Sequence, residues 1–212
     1  MEPGQIYHVF NHANGWENLF QEPKNYYFFM EKMDRFLSPT IDIFAHCLMP
    51  NHFHLAVGIP EMKELILRNK DFEGLNEEDA GKKISKQFSN LYSSYTLSYN
   101  NFYNRMGSLF KPNMKTREVD SDISLCKLIH YIHSNPVHHG FVDKMEDWPY
   151  SSYSAYKSNM QTKHNQNYVL KSFGGYNQFI NYHKQPIDLK LPDLNSEKSY
   201  LKMRTTKKVF EV

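Results

Sequence analysis

Residues 49–57, MPNHFHLAV, set two histidines one residue apart in an apolar run, directly after a proline-asparagine turn signal. In an extended strand alternate side chains share a face, so His52 and His54 point one way while Phe53 and Leu55 point the other. Two imidazoles with an oxygen donor and open coordination positions suit a divalent metal acting as a Lewis acid, whereas a closed structural zinc site needs four protein ligands. His46 and Cys47 lie near enough in sequence to supply such ligands. The plainer alternative is a wet strand face carrying two polar residues. In a chain with 11 histidines, such a pair arises by chance about half the time, so it acquires meaning only with further ligands.

A second candidate is LIHYIHSNPVHHGFV, residues 128–142. Tyr131 and Asn135 stand four residues apart, one helical turn, which puts them on the same face. A tyrosine among apolar helical residues is ordinarily a core residue with its hydroxyl at the edge, and an asparagine before proline is ordinarily a turn residue. His130, His133, His138 and His139 are spread too widely around such a helix to serve together as ligands.

The elements that must position these residues follow from periodicity. QIYHVFNHA (5–13) alternates as a strand does, with Ile6, His8 and Phe10 against Tyr7 and Val9, and PKNYYFFMEKMDRFLSP (23–39) opens on a proline suited to a helix start. TIDIFAHCLMP and HFHLAVGIP read as two strands joined by the turn at Pro50 and Asn51, a hairpin. The stretch that follows is charged and loop-like. GKKISKQFSNLYSSYTLSYNNFYNRMG (81–107) predicts a long helix closed by Gly107, and the segment carrying Lys111, Lys115 and Arg117 is extended. A helix over 121–136 has Ser121 or Asp122 as its N-cap and ends at Pro136. One further short helical signal lies near 174–184. The order strand, helix, strand, strand, helix, strand predicts an α+β fold: an antiparallel sheet with helices packed on one face and the other open to a ligand.

Composition sets the class. With 212 residues, 40% of them hydrophobic and 15% aromatic, the chain can bury one sizeable core. We expect a single domain over 1–185 with a polar, mobile tail over 186–212. No apolar run nears the roughly 20 residues of a membrane span and the N-terminus lacks signal-peptide order, so a cytoplasmic protein with no membrane partner is expected. The formal net charge of +2 does not announce a nucleic-acid partner by itself. Cys47 and Cys126 lie within apolar segments and are expected as buried thiols.

Taken together, several of these stretches resemble a known family. MPNHFH is similar to the HUH signature (histidine, hydrophobic residue, histidine) of the single-tyrosine transposases, and YIHSNPVHHGFV followed by DWPYSSY is similar to the second signature of their REP-associated branch. The YHVFN start, FYNRMGSLF and the lysine and arginine after it extend the likeness over about residues 5–156. The resemblance implies a ferredoxin-like or RNA-recognition-like sheet with the histidines on a central strand. It implies that His52, His54 and Asn135 hold Mg²⁺ or Mn²⁺ rather than zinc, and that Tyr131 is the nucleophile. The partner it implies is single-stranded or hairpin DNA, held by a monomer or homodimer, with Lys111, Lys115, Arg117, Asn14 and His12 as candidate DNA contacts. The sequence departs from the family where relatives read NRGN and this chain reads NHAN (11–14). An always-charged bidentate phosphate donor is replaced there by an imidazole with a pKa near 6.5.

The implied reaction is transesterification: the tyrosine oxygen attacks phosphorus, the 3′ oxygen leaves, and a 5′-phosphotyrosine bond keeps the strand attached. Two other readings fit the same residues. One is a metal-dependent nuclease that uses water; the other is a non-catalytic or domesticated nucleic-acid-binding module.

Overall fold

The structure is a computed structural model that describes residues 1–158 and 165–186; the tail expected over 186–212 lies, but for its first residue, outside the described residues. Four antiparallel strands form one sheet: β1 (Ile6–His12), β2 (Asp42–Met49), β3 (His52–Gly58) and β4 (Lys115–Val119), in the order β2-β3-β1-β4. The predicted hairpin is β2-β3, turning at Pro50 and Asn51, and β3 and β1 are the two central strands. A register shift between Ile43 and Ala45 marks a bulge in β2. There Phe44 lies over Gly58, whose missing side chain makes the room: a Cβ at Gly58 would fall 2.5 Å from the Phe44 ring.

Helices cover both faces of this sheet. On one side, α1 (Pro23–Phe36) and α3 (Glu77–Phe102) pack Phe29, Met33, Ile84, Phe88, Leu91 and Tyr95 against Val9, Leu48, Phe53, Leu55 and Val57. In β1 and β3 these are the residues that alternate with the histidines, as expected, and Leu48 of β2 lies opposite Phe53 on the same face. On the other side, α4 (Asp122–His138) sets Leu125, Leu128, Ile129 and Ile132 against Ala45, Cys47, Met49 and Ala56, backed by α5 (Tyr153–Lys157), α6 (Gln166–Ser172) and α7 (Tyr176–His183). At about 1.5–3 kcal/mol for each fully buried aliphatic side chain, Leu125, Ile129 and Ile132 alone anchor α4 firmly. The sequence expectation of helices on a single face therefore needs correction: α4 to α7 close much of the face left open. No helix among the described residues is long and apolar enough to cross a membrane.

Three boundaries also differ from the periodicity. The charged stretch read as a loop contains α2 (Met62–Arg68), and α3 begins four residues earlier than expected, with Asn76 capping the Asp79 amide and three acidic residues in the first turn. That acidic run is a helix start, favoured by the N-terminal dipole, and not a linker. Pro136 does not end α4 but sits inside it; the helix runs on to His138, and the His139 amide bonds to the Asn135 carbonyl. A proline deletes the bond its own nitrogen would make and crowds the carbonyl four residues back, and the packing of fully buried Asn135 and its neighbours offsets that cost.

The outer helix is tied on through a buried polar chain. His183 Nδ1 lies 2.8 Å from the Phe179 carbonyl, which can only accept, so that nitrogen carries the proton and Nε2 accepts from His133 Nδ1 at 2.9 Å. His133 Nε2 then accepts from the Ser152 hydroxyl at 2.8 Å, and Ser152 Oγ accepts the His46 amide at 3.0 Å. The chain runs unbroken from α7 through α4 to β2 with neutral rings. Burial pushes the His183 pKa down to about 3, with the Phe179 carbonyl opposing and His130 adding to the shift, and burial also lowers His130. Because the folded pKa is depressed, the unfolded chain binds more protons between about pH 6.5 and 3, and stability rises with pH across that window. Urea unfolding should give constant stability above about pH 6.5 and a loss approaching 1.4 kcal/mol per pH unit below it from this group. His183→Gln should flatten that slope.

Candidate active site

The register of the sheet decides which side chains meet. Across β1 and β3, Phe10 opposes His54 and His12 opposes His52; across β2 and β3, Cys47 opposes His54 and Met49 opposes His52. Directly opposed residues of an antiparallel pair share a face, so His8, Phe10, His12, His52 and His54 project together, toward α4. On β4, Lys115 opposes Phe10 and Arg117 opposes His8, which puts both basic residues on the same face at its exposed edge.

The helix α4 brings its own stripe onto the histidines. The Tyr131 ring meets the His54 ring edge-on at 5.4 Å between centroids and the His8 ring at 6.2 Å. Two turns on, His139, which caps α4, meets His52 edge-on at 5.4 Å. Asn135, one turn from each, is fully buried; its Nδ2 donates to the Tyr131 carbonyl at 3.3 Å, and its Oδ1 has no hydrogen-bond partner. Burying an unsatisfied amide oxygen costs about 1–3 kcal/mol, a cost that calls for an explanation. The separation of some 80 residues in sequence between His54 and Tyr131 thus closes to ring contact.

The protonation states suit metal ligation. His52 Nδ1 lies 3.0 Å from Asn51 Oδ1, an acceptor, so the proton is on Nδ1 and Nε2 carries the lone pair. His54 Nδ1 lies 2.9 Å from Nε2 of His8. Two imidazole nitrogens and one amide oxygen form a neutral donor set, which leaves the charge of a dication to be balanced by other groups, as phosphate oxygens do at Mg²⁺ sites. The four-ligand zinc alternative lacks its geometry. His46 and Cys47 are consecutive in β2 and point to opposite faces. Burial raises the Cys47 thiol pKa, which disfavours the thiolate a metal needs, and its Sγ bonds to Met49 Sδ at 3.7 Å. Among the described residues no group of three or more His, Cys, Asp or Glu side chains comes together to hold a metal. Both cysteines are buried and reduced.

The remaining candidates divide. His12 stacks on His52 at 4.9 Å. Asn14 is exposed on the following loop, which is braced by its amide to the Leu109 carbonyl at 2.8 Å. Lys111 departs from Lys115 and Arg117: it lines a groove with Asn11, Tyr92 and Asn100 on the α3 side of the sheet. Tyr95 and Tyr99 are buried on that same side, with their hydroxyls donating to the Leu19 and Asn18 carbonyls at 2.6 and 2.9 Å. The residue that sequence reasoning missed is His8. Strand alternation set it beside Phe10, but only the pairing of β1 with β3 brings it to His54.

If Asn135 is retained for its oxygen and not for packing, then Asn135→Leu should keep metal-free stability within about 1 kcal/mol of wild type, or raise it, in urea unfolding. The thermal shift on adding Mn²⁺ should vanish in the same variant. A loss above about 3 kcal/mol would mark Asn135 as structural.

No protein-family model matches the chain. A protein of Haemophilus influenzae described as a REP-associated tyrosine transposase is 26% identical over 109 residues, covering 51% of this chain. The chain therefore spans little more than half of that relative, 57% of its length. A solved structure of a REP-associated tyrosine transposase bound to a REP hairpin superposes with a TM-score of 0.53 at 17% identity, over 77% of this chain and 85% of that one. The resemblance read from the sequence is borne out as a likeness: the chain is similar to a REP-associated tyrosine transposase by sequence over half its length, and over three quarters of its length it shares the fold of another.

Proposed function

We propose that the chain is a DNA transposase that cuts and rejoins single-stranded DNA through a 5′-phosphotyrosine intermediate at Tyr131, with His52, His54 and Asn135 holding Mg²⁺ or Mn²⁺. The observation that carries this reading is the meeting of the Tyr131 ring with His54 one helical turn from an amide oxygen that has no partner. The relatives' names support the transposase role, and the hairpin bound by the structural neighbour supports hairpin DNA as the partner.

The chemistry assigns work to each residue. A tyrosine of pKa near 10 is about 0.1% ionised at pH 7, a handicap of about 4 kcal/mol that its surroundings must offset. The bound cation would supply Lewis-acid polarisation of the scissile phosphate and charge neutralisation. Tyr131 forms the new O–P bond as the 3′ oxygen leaves with the electron pair of the old P–O bond, and the proton lost by the phenol is matched by one gained at the 3′ hydroxyl, so bond number is conserved and rejoining is the same step reversed. Tyr131 is 4% exposed. That burial keeps water from competing for the phosphotyrosine, and it obliges an incoming strand to displace part of the cover. Lys115 and Arg117, on the open edge strand and the same face, are placed for backbone contacts. One tyrosine makes one cut, so excision of a segment takes two protomers or two successive events.

The reading is tested with a labelled single-stranded hairpin oligonucleotide and Mn²⁺. Wild type should form a denaturant-stable protein–DNA adduct that Tyr131→Phe does not form, and His52→Ala or His54→Ala should slow adduct formation by at least about 100-fold. Cleavage with turnover and no adduct would assign water as the nucleophile. Hairpin binding that survives both histidine substitutions without cleavage would assign a binding module. Lys115→Ala and Arg117→Ala should each reduce the slope of log affinity against log salt by about 0.7 for a single-stranded contact.

A further inference from the structure

His52 and His54 are held by different kinds of partner. The partner of His52 Nδ1 is the amide oxygen of Asn51, which can only accept, so the proton on His52 is settled by chemistry. The partner of His54 Nδ1 is another imidazole nitrogen, Nε2 of His8, at 2.9 Å, and one proton lies between them. With that proton on His54, His54 Nε2 is a lone pair and His8 holds its own proton on Nδ1. With the proton on His8, the neutral His54 ring carries its hydrogen on Nε2 and cannot ligate there. Only the first arrangement is competent.

We infer that His8 is a positioning residue: it accepts from His54 Nδ1–H and thereby fixes the tautomer and the ring plane in which His54 Nε2 faces a metal. This rests on the metal-site reading above and deepens it. The surroundings hold the His8 ring against His54. It is 5% exposed, stacked on His54 at 5.2 Å and 25°, and stacked on its other neighbour, Phe10, at 4.8 Å. The Tyr131 ring packs against it edge-on, with 6.2 Å between centroids. With its Nε2 engaged by His54, His8 acts on the metal through His54. Outer partners of this kind are typically worth about 10–100-fold in metal affinity.

The test pairs two readouts on the full chain without DNA. Long-range ¹H–¹⁵N spectra of metal-free wild type should show His54 protonated on Nδ1, and Mn²⁺ titration followed by EPR should show His8→Leu binding about 10–100-fold more weakly than wild type. His8→Gln, whose side-chain oxygen accepts only, should restore both the Nδ1–H tautomer and most of the affinity. The inference is overturned if wild-type His54 is protonated on Nε2, or if folded His8→Leu binds Mn²⁺ as wild type does. Should His8→Leu fail to fold, the wild-type tautomer and His8→Gln still decide. If wild type itself binds no Mn²⁺, the metal reading falls, while the tautomer measurement continues to report on His8 alone.

Discussion

Everything at the site depends on the register between β1 and β3. The period of side chains along a strand is two, so a slip of one residue would turn His52 and His54 into the α1–α3 core and Phe53 toward α4. Burial specifies the register from both sides. Val9, Phe53, Leu55 and Val57 are all but excluded from solvent on one face, while Ala56 and Cys47 pack under α4 on the other. Moving either set would expose or strand several side chains, each worth about 1.5–3 kcal/mol. The histidines are held in a polar row because the apolar row behind them cannot move.

The helix α4 then has two jobs that compete. One stripe, Leu125, Ile129 and Ile132, is ordinary core; the adjoining one, Tyr131 and Asn135, is polar and as deeply buried, with half-buried His139 just beyond. A buried amide oxygen without a partner destabilises the fold, and so does a proline within a helix. Both occur within five residues of Tyr131. Local rules are expected to be broken where function requires it, and the compensation is visible in the second helical layer, where α7 is fastened to α4 and β2 through His183, His133 and Ser152.

The sequence carried most of this, unevenly. Strand alternation and helical spacing located β1, the β2-β3 hairpin, α1, α3 and α4, and hence the face shared by His52 and His54 and the turn shared by Tyr131 and Asn135. What periodicity cannot encode is which strand pairs with which. His8 was on a known face of β1, yet its meeting with His54 exists only because β1 inserts between β3 and β4. Of the second layer of helices only α7 was legible, as the short helical signal near 174–184; α5 and α6 are only five and seven residues long, too short to show a period. Pro136 misled because a local steric preference was read where tertiary packing prevails, and Lys111 because segments either side of a turn need not face the same way.

The two histidines at the centre are therefore not equivalent. His52 is oriented by an asparagine at the hairpin turn, one residue away, and would keep that partner in any fold that kept the turn. His54 is oriented from 46 residues away, by a strand that must first insert into the sheet. One half of the pair is set by local chain geometry and the other by tertiary structure. If the pair binds a metal as proposed, it is complete only when the sheet is complete, so the proposed site and the fold that brings Tyr131 to it would form together. In a protein proposed to cut DNA, that coupling would keep a partly folded chain from presenting the proposed metal site.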